Sequence, residues 1–213
     1  MIFDLDGVVI DSEVVWNEAR RGLVEASGGR WREGAQRDMM GTSSREWSGY
    51  IHDQLGVPMS PEEISTSVVA SVERIYRERL PLIPGARDAV IALAGCWPLA
   101  IASSANRSLI ELVLELADLA GCFQASVSSE EVSRGKPAPD VYLRAARALA
   151  REPASCAAVE DSSNGIRSAA AAGMSVVAIP NAAYPPTDDA LERADVVLSS
   201  IRELDADVVA TLG

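Results

Sequence analysis

The sequence predicts an α/β protein: a doubly wound parallel sheet with an α-helical domain inserted after its first strand. Two observations predict it. From Leu82 onward, short apolar runs alternate with stretches of helical spacing, as strands joined by crossover helices do. Between Ser12 and Leu80, apolar residues recur at spacings of three or four, so this block reads as helices without a strand. The expected division is a core made of residues 1–11 and 82–213 and a helical cap made of residues 12–81.

The opening run Met1 to Leu5 reads as a buried strand, followed by the turn dipeptide Asp6-Gly7, then Val8-Val9-Ile10 and a helix cap at Asp11-Ser12. Val14-Val15, Leu23-Val24, Met39-Met40, Ile51 and Leu55, then Val68-Val69, Val72 and Ile75-Tyr76 supply the apolar faces of the inserted helices. Pro81-Leu82-Ile83-Pro84-Gly85 punctuates the chain. Helix is then predicted over 86–94, strand over 98–102, helix over 108–119 and a short strand at Val127. Helix follows over 139–150, strand over 156–159, helix over 166–172 and strand over 175–179. A last short strand covers 195–198 and a last helix 201–212. The insertion is joined to the core by two crossings beside the strand ends, which places it to act as a lid.

With 213 residues, 48% of them hydrophobic, the chain can bury a substantial core. A net charge of −12 disfavours nucleic acid and anionic membranes as partners. Any anionic substrate must therefore be drawn in by local cations or by a metal. The longest apolar stretch, from Ile91 to Ala102, is interrupted by Gly95 and Pro98 and is too short for a membrane helix. Cys96, Cys122 and Cys156 lack paired spacing, and no basic stretch leads into an apolar one at the N-terminus. The expectation is a cytoplasmic protein with reduced thiols and, for want of an apolar surface stripe, a monomer.

Three apolar runs end in groups suited to phosphate or metal: Met1 to Phe3 in Asp4, Pro98 to Ala102 in Ser103, and Ala157 to Val159 in Glu160-Asp161. Open α/β sheets bind ligands at the carboxyl ends of their strands, so these ends should converge. Asp4 and Asp6 are two apart, which in an extended chain turns both carboxylates to one side; one can attack while the other moves a proton. Ser103 and Ser104 bring hydroxyls to the start of the next helix, an anion site, although Ser104 or Asn106 could equally cap that helix. Lys136, between a strand and a helix, can neutralise a transferring phosphoryl group. Carboxylates as close as Glu160-Asp161 and Asp4 repel one another unless a hard dication such as Mg²⁺ lies among them. No cysteine is followed six positions later by Arg and no phosphate-binding Gly-x-x-x-x-Gly-Lys-Ser/Thr run exists, which excludes cysteine phosphatases and that class of kinase.

Taken together, Asp4-Leu5-Asp6-Gly7-Val8, Ser103, Lys136 and Glu160-Asp161 resemble the motifs of the haloacid dehalogenase superfamily of phosphatases, in order and spacing, over essentially the whole chain. The resemblance implies a Rossmann-like core with a C1 helical cap. Asp4 would be a nucleophile that becomes an aspartyl phosphate, Asp6 the general acid/base, and Ser103, with Ser104, a phosphate ligand. Lys136 would stabilise charge, and Mg²⁺ would be held by Asp4, the Asp6 main-chain carbonyl, Asp161 and Glu160. Asp11 to Trp16, Leu82 to Gly85, Gly135 to Pro139 and Val159 to Ser162 are similar to the subgroup containing β-phosphoglucomutase and small sugar-phosphate phosphatases. Trp16 stands where the mutases have a cap histidine, and Ala105 and Asn106 where they have a hydroxyl and a lysine. The implied activity is hydrolysis of a small phosphorylated metabolite, a sugar phosphate, with a phosphomutase or a non-turnover binding module as rivals. Trp16, Asn106 and Arg45, in the loop Gly41 to Arg45, are the expected substrate contacts; Arg45 would read a sugar hydroxyl or a second anion.

Overall fold

A computed structural model describes residues 1–40 and 42–212. Gly41, at the head of the loop expected to face substrate, lies outside the described residues, as does Gly213. The core is a six-stranded sheet in which every neighbouring pair is parallel, formed by β1 (Ile2–Phe3), β2 (Leu99–Ser103), β3 (Phe123–Ser128), β4 (Ala157–Glu160), β5 (Ser175–Ala178) and β6 (Val196–Val197). Their spatial order is β3-β2-β1-β4-β5-β6. The connection reverses direction between β1 and β4, and it is at such a switch point that open α/β sheets form a crevice.

Strand alternation sorts the core into two layers. Phe3, Leu99, Ile101, Val159 and Val177 face α5 (Ala86–Ala94) and α6 (Arg107–Leu116). Ile2, Ala100, Ala102, Ala158, Val176 and Ala178 face α7 (Asp140–Ala148), α8 (Ser163–Ala171) and α9 (Asp188–Leu191). The second face is rich in alanine on both sides, with Ala145, Ala146 and Ala169 on the helices. Small side chains let these helices approach the sheet closely, and Ser168 Oγ in α8, fully buried, donates at 2.6 Å to the Ala138 carbonyl in the loop that leads into α7.

The insertion consists of α1 (Glu13–Ala26), α2 (Ala35–Met39), α3 (Ser44–Leu55) and α4 (Pro61–Glu78), without a strand among the described residues. Its helix ends are set by local chemistry. Ser43 with Glu46, and Ser60 with Glu63, form reciprocal capping boxes at the starts of α3 and α4, and Gly56 ends α3 with φ of 71°. Ile64, Val68, Val72, Ile75 and Tyr76 give α4 a buried stripe against its neighbours. The two crossings run side by side: the Asp11 amide donates to the Pro81 carbonyl at 2.8 Å and the Ile83 amide to the Val9 carbonyl at 3.0 Å. Among the described residues, no helix is long and apolar enough to cross a membrane.

Several element boundaries differ from the sequence expectation. The strand expected at Val127 extends over Phe123–Ser128, where Phe123, Ala125 and Val127 alternate with Gln124, Ser126 and Ser128 instead of forming an unbroken apolar run. The helix expected over 201–212 divides into a 3₁₀ turn at Ile201–Glu203 and α10 (Ala206–Ala210), where Asp205 caps a new start by accepting from the Val208 amide at 2.9 Å. Helix α9, only four residues long, has too short a pattern to show periodicity. Ser12 precedes α1 as expected, but its side chain makes no capping hydrogen bond.

Candidate active site

Asp4 leaves β1 at the switch point, its amide donating to the Val159 carbonyl at 2.9 Å. Asp4 is 6% exposed, and its Oδ1 accepts from the Leu5 amide at 2.8 Å and meets Lys136 Nζ at 3.0 Å. Lys136 reaches across from the loop before α7 and also meets Glu160 Oε1 at 2.6 Å. Burial pushes the Asp4 carboxyl up, an effect that Lys136 opposes and Glu160 and Asp6 reinforce. Burial alone would lower the Lys136 ammonium, but Asp4 and Glu160 outweigh it and the net direction is up. The lysine is therefore a fixed positive charge.

Glu160 is fully buried, and both its oxygens are already engaged. Oε1 accepts from Lys136 and, at 2.7 Å, from the Tyr142 hydroxyl; Oε2 accepts from the Asp161 and Ser162 amides and the Ser162 hydroxyl at 3.2 to 3.4 Å. A Cβ on Gly165, in the first turn of α8, would overlap this carboxylate. We predict that Gly165→Ala displaces Glu160, lowers stability by about 1–3 kcal/mol and lowers the turnover rate; thermal unfolding beside a phosphatase assay checks it. A variant with wild-type stability and turnover would show that the carboxylate can move without consequence.

Asp161 follows on the same strand end. Burial holds its carboxyl well above the usual range, with Glu160 and Asp4 adding to the shift. Ligand oxygens of Asp4, Glu160 and Asp161 lie within 4.8 Å of one another. Lys136 forms ion pairs with two of the three, Asp4 and Glu160. The remaining excess of buried negative charge, on oxygen donors alone, fits a hard dication such as Mg²⁺. Gly7 closes the turn beneath, with φ of 77° and a Cβ position that would overlap the Asp161 carboxylate, so glycine is required there twice over.

Asp6 lies in the turn after β1. One oxygen accepts from Ser103 Oγ at 3.5 Å, and Oδ1 is buried without a hydrogen-bond partner among the described residues. Burial pushes the Asp6 carboxyl above the usual carboxylate range, against the pull of Ser12, Lys136, Trp16 and Ser103. A carboxyl inclined to hold a proton, open to the same space as a second carboxyl, is an arrangement that general acid catalysis can use.

These groups open into a cavity of about 430 Å³ between core and insertion. Asp4, Asp6, Lys136, Asp161, Ser104, Asn106 and Trp16 line it. Ser103 is fully buried below the floor, its Oγ accepting from the Ala105 amide at 3.0 Å. Asn106 precedes α6 without a side-chain capping bond; instead its Oδ1 accepts from Ser44 Oγ at 3.4 Å, tying the insertion to the core at the rim. Arg45 is exposed on the outer side of α3 and is not among the cavity residues. The insertion's basic contribution comes instead from Arg20 and Arg37, which sequence reading missed together with Tyr142, Glu13 and Trp47. Arg20 had a legible signal, since Glu13, Trp16 and Arg20 recur at helical spacing on one face. Tyr142 had none beyond lying in the helix after Lys136.

Two buried carboxyl groups beside a fixed lysine, at the switch point of an α/β sheet, suit the chemistry of phosphate esters. A family model for haloacid dehalogenase-like hydrolases matches residues 1–173, and the chain belongs to that family as a phosphoric monoester hydrolase. It is 34% identical to hexitol phosphatase B of Escherichia coli over 96% of this chain and 93% of that protein. It is 29% identical to the fructose-1-phosphate phosphatase YqaB of Escherichia coli, over 83% of this chain and 94% of that one. Among solved structures it resembles a mutant of CbbY from Rhodobacter sphaeroides in complex with xylulose 1,5-bisphosphate, with a TM-score of 0.85, 25% identity and coverage of 95% and 94% of the two chains.

Proposed function

We propose that this chain is a Mg²⁺-dependent phosphatase of a small sugar phosphate, working as a monomer through an aspartyl phosphate on Asp4. The observation that carries the proposal is the pair of carboxylates, Asp4 and Asp6, opening into one cavity with a buried Lys136. In this reading residues 1–11 and 82–213 form the catalytic core and residues 12–81 the cap that closes over it. The phosphatase names of the relatives, hexitol and fructose 1-phosphate among them, support the substrate class.

Asp4 attacks phosphorus, its carboxylate plane fixed by the Leu5 amide and Lys136. As the ester bond breaks, Asp6 gives its proton to the leaving sugar oxygen. Asp6 then takes a proton from water, which attacks phosphorus and frees the Asp4 carboxylate with release of phosphate. Lys136 offsets charge on the phosphoryl oxygens, and Ser104, with the Ser103 hydroxyl behind it, orients them. Asp4, Asp161 and the Asp6 main-chain carbonyl would hold Mg²⁺, which would supply further positive charge near the nucleophile and the phosphoryl group. With its oxygens already committed, Glu160 serves to hold Lys136 rather than the ion. Trp16 favours hydrolysis over transfer between sugars, because an indole at this position has no proton to shuttle at neutral pH.

A panel of hexose, hexitol and pentose phosphates, phosphoglycolate and nucleotides, assayed with and without Mg²⁺, tests the proposal. Release of phosphate from sugar phosphates that stops with a chelator and returns with Mg²⁺ is expected. Mg²⁺ should also raise the unfolding temperature, because it binds the folded state alone, and Asp161→Asn should abolish that rise. Turnover indifferent to chelation, or confined to nucleotides, would contradict it.

A further inference from the structure

Arg20 lies in α1 one turn beyond Trp16, and only 5% of it is exposed. Its guanidinium carbon stands 4.8 Å from the centroid of Trp16 and 5.1 Å from that of Trp47, two rings that meet edge to face at 5.9 Å. All three residues line the cavity that contains Asp4 and Asp6. Among the described residues, Arg20 Nε is buried without a hydrogen-bond partner. Burial of a charged donor with no acceptor is costly, and the two indole rings offset only part of that cost. What remains is a rigid fork of N–H donors at the wall of the cavity, in want of acceptors.

The charge of that wall indicates which acceptors. Glu13, two turns earlier on the same face, also lines the cavity, and its Oε2 is taken by Gln36 Nε2 at 2.6 Å. Glu13 and Arg20 offset one another, and Thr42 and Ser44 add neutral hydroxyls. Arg37 borders the same space but is exposed, where water screens it. A wall with one donor fork, one carboxylate and two aromatic faces has little net charge to attract a second anion. It offers instead what a chain of hydroxyl-bearing carbons requires: donors, an acceptor and apolar faces for the C–H edges.

We propose that Arg20, seated against the edge-to-face pair of Trp16 and Trp47, is the residue that selects substrate, donating to neutral hydroxyls at the end of the molecule remote from the phosphate. The assignment rests on the reading of the chain as a sugar-phosphate phosphatase. It is tested by comparing wild type with Arg20→Leu and Arg20→Lys on the best hexose or hexitol monophosphate, on a sugar bisphosphate and on p-nitrophenyl phosphate, which has no hydroxyls to read. In Arg20→Leu the ratio of kcat/KM for the sugar monophosphate to that for p-nitrophenyl phosphate should fall about 10- to 100-fold, mainly through KM. Arg20→Lys, which keeps the charge and loses the fork, should fall between; if the leucine variant does not fold by circular dichroism, the lysine variant carries the comparison. Equal losses on both substrates in a folded variant would reduce Arg20 to a structural role and overturn the proposal. A wild-type preference for the bisphosphate that vanishes in Arg20→Leu would assign a second anion instead and overturn the choice of hydroxyls. Wild-type protein that cleaves p-nitrophenyl phosphate but no sugar phosphate would remove the substrate class itself, a failure distinct from an unchanged ratio.

Discussion

Asp4→Asn protein is expected to release phosphate from p-nitrophenyl phosphate at least roughly 10⁴-fold more slowly than wild type, because an amide cannot take the nucleophile's place. The substitution is nearly isosteric, and Lys136 keeps its bond to Glu160 at 2.6 Å. It also removes one of three carboxylates crowded within 4.8 Å, so stability in metal-free buffer should not fall. Loss of activity with an unchanged unfolding temperature is thus the expected pair of results, and the Mg²⁺-induced rise in that temperature should shrink. Asp4→Asn protein that turned over at the wild-type rate would place the nucleophile elsewhere.

Lys136→Met should have the largest effect on the folded state. The lysine side chain is 3% exposed and is the shared partner of Asp4 and Glu160 at 3.0 and 2.6 Å. Removing one member of a buried ion cluster leaves the others uncompensated, a loss of about 3–5 kcal/mol. Glu160, like Asp4, loses one of its donors, yet it retains the Tyr142 hydroxyl and the amides of Asp161 and Ser162. Combining Lys136→Met with Glu160→Gln should therefore recover part of the loss, since the second substitution removes the orphaned charge. Denaturant unfolding of the four proteins in this cycle reads the coupling directly. Additive losses would mean that Lys136 and Glu160 do not act as a pair. Neither variant should release phosphate at the wild-type rate, because Lys136 is then missing from the phosphoryl oxygens.

The strands that meet at the switch point were legible because their neighbours bury them on both faces, so Ile2-Phe3, Leu99 to Ala102 and Ala157 to Val159 are unbroken apolar runs ending in functional groups. Edge strand β3 was legible only at Val127, since Phe123, Ala125 and Val127 alternate with Gln124, Ser126 and Ser128 and give no apolar run. The same distinction governs the site. Asp4 and Asp161 stand at strand ends, and their placement follows once those ends are found, with Asp6 in the turn just beyond β1 and Lys136 reaching in from the loop before α7. The substrate wall is set by how the inserted helices pack, which helical spacing along the chain indicates only in part. Arg45 therefore looked like the basic contact, although it begins α3 on the solvent side, whereas Arg20 is carried inward on the stripe of Trp16. The engagement of Glu160 by Tyr142, Lys136 and the turn after β4 depends on three elements meeting and had no counterpart in local sequence.

The most direct test of the account is to quench the enzyme in acid during turnover of a sugar phosphate with Mg²⁺ and to locate the phosphoryl group by peptide mass spectrometry. Asp6→Asn protein, slowed in releasing the intermediate, should accumulate more of it. A phosphoryl group on the peptide bearing Asp4, labile to hydroxylamine as an acyl phosphate is, and absent from Asp4→Asn protein, is the predicted result. Full turnover with phosphorylation on another residue, or with none in either the wild type or the Asp6→Asn protein, would contradict it.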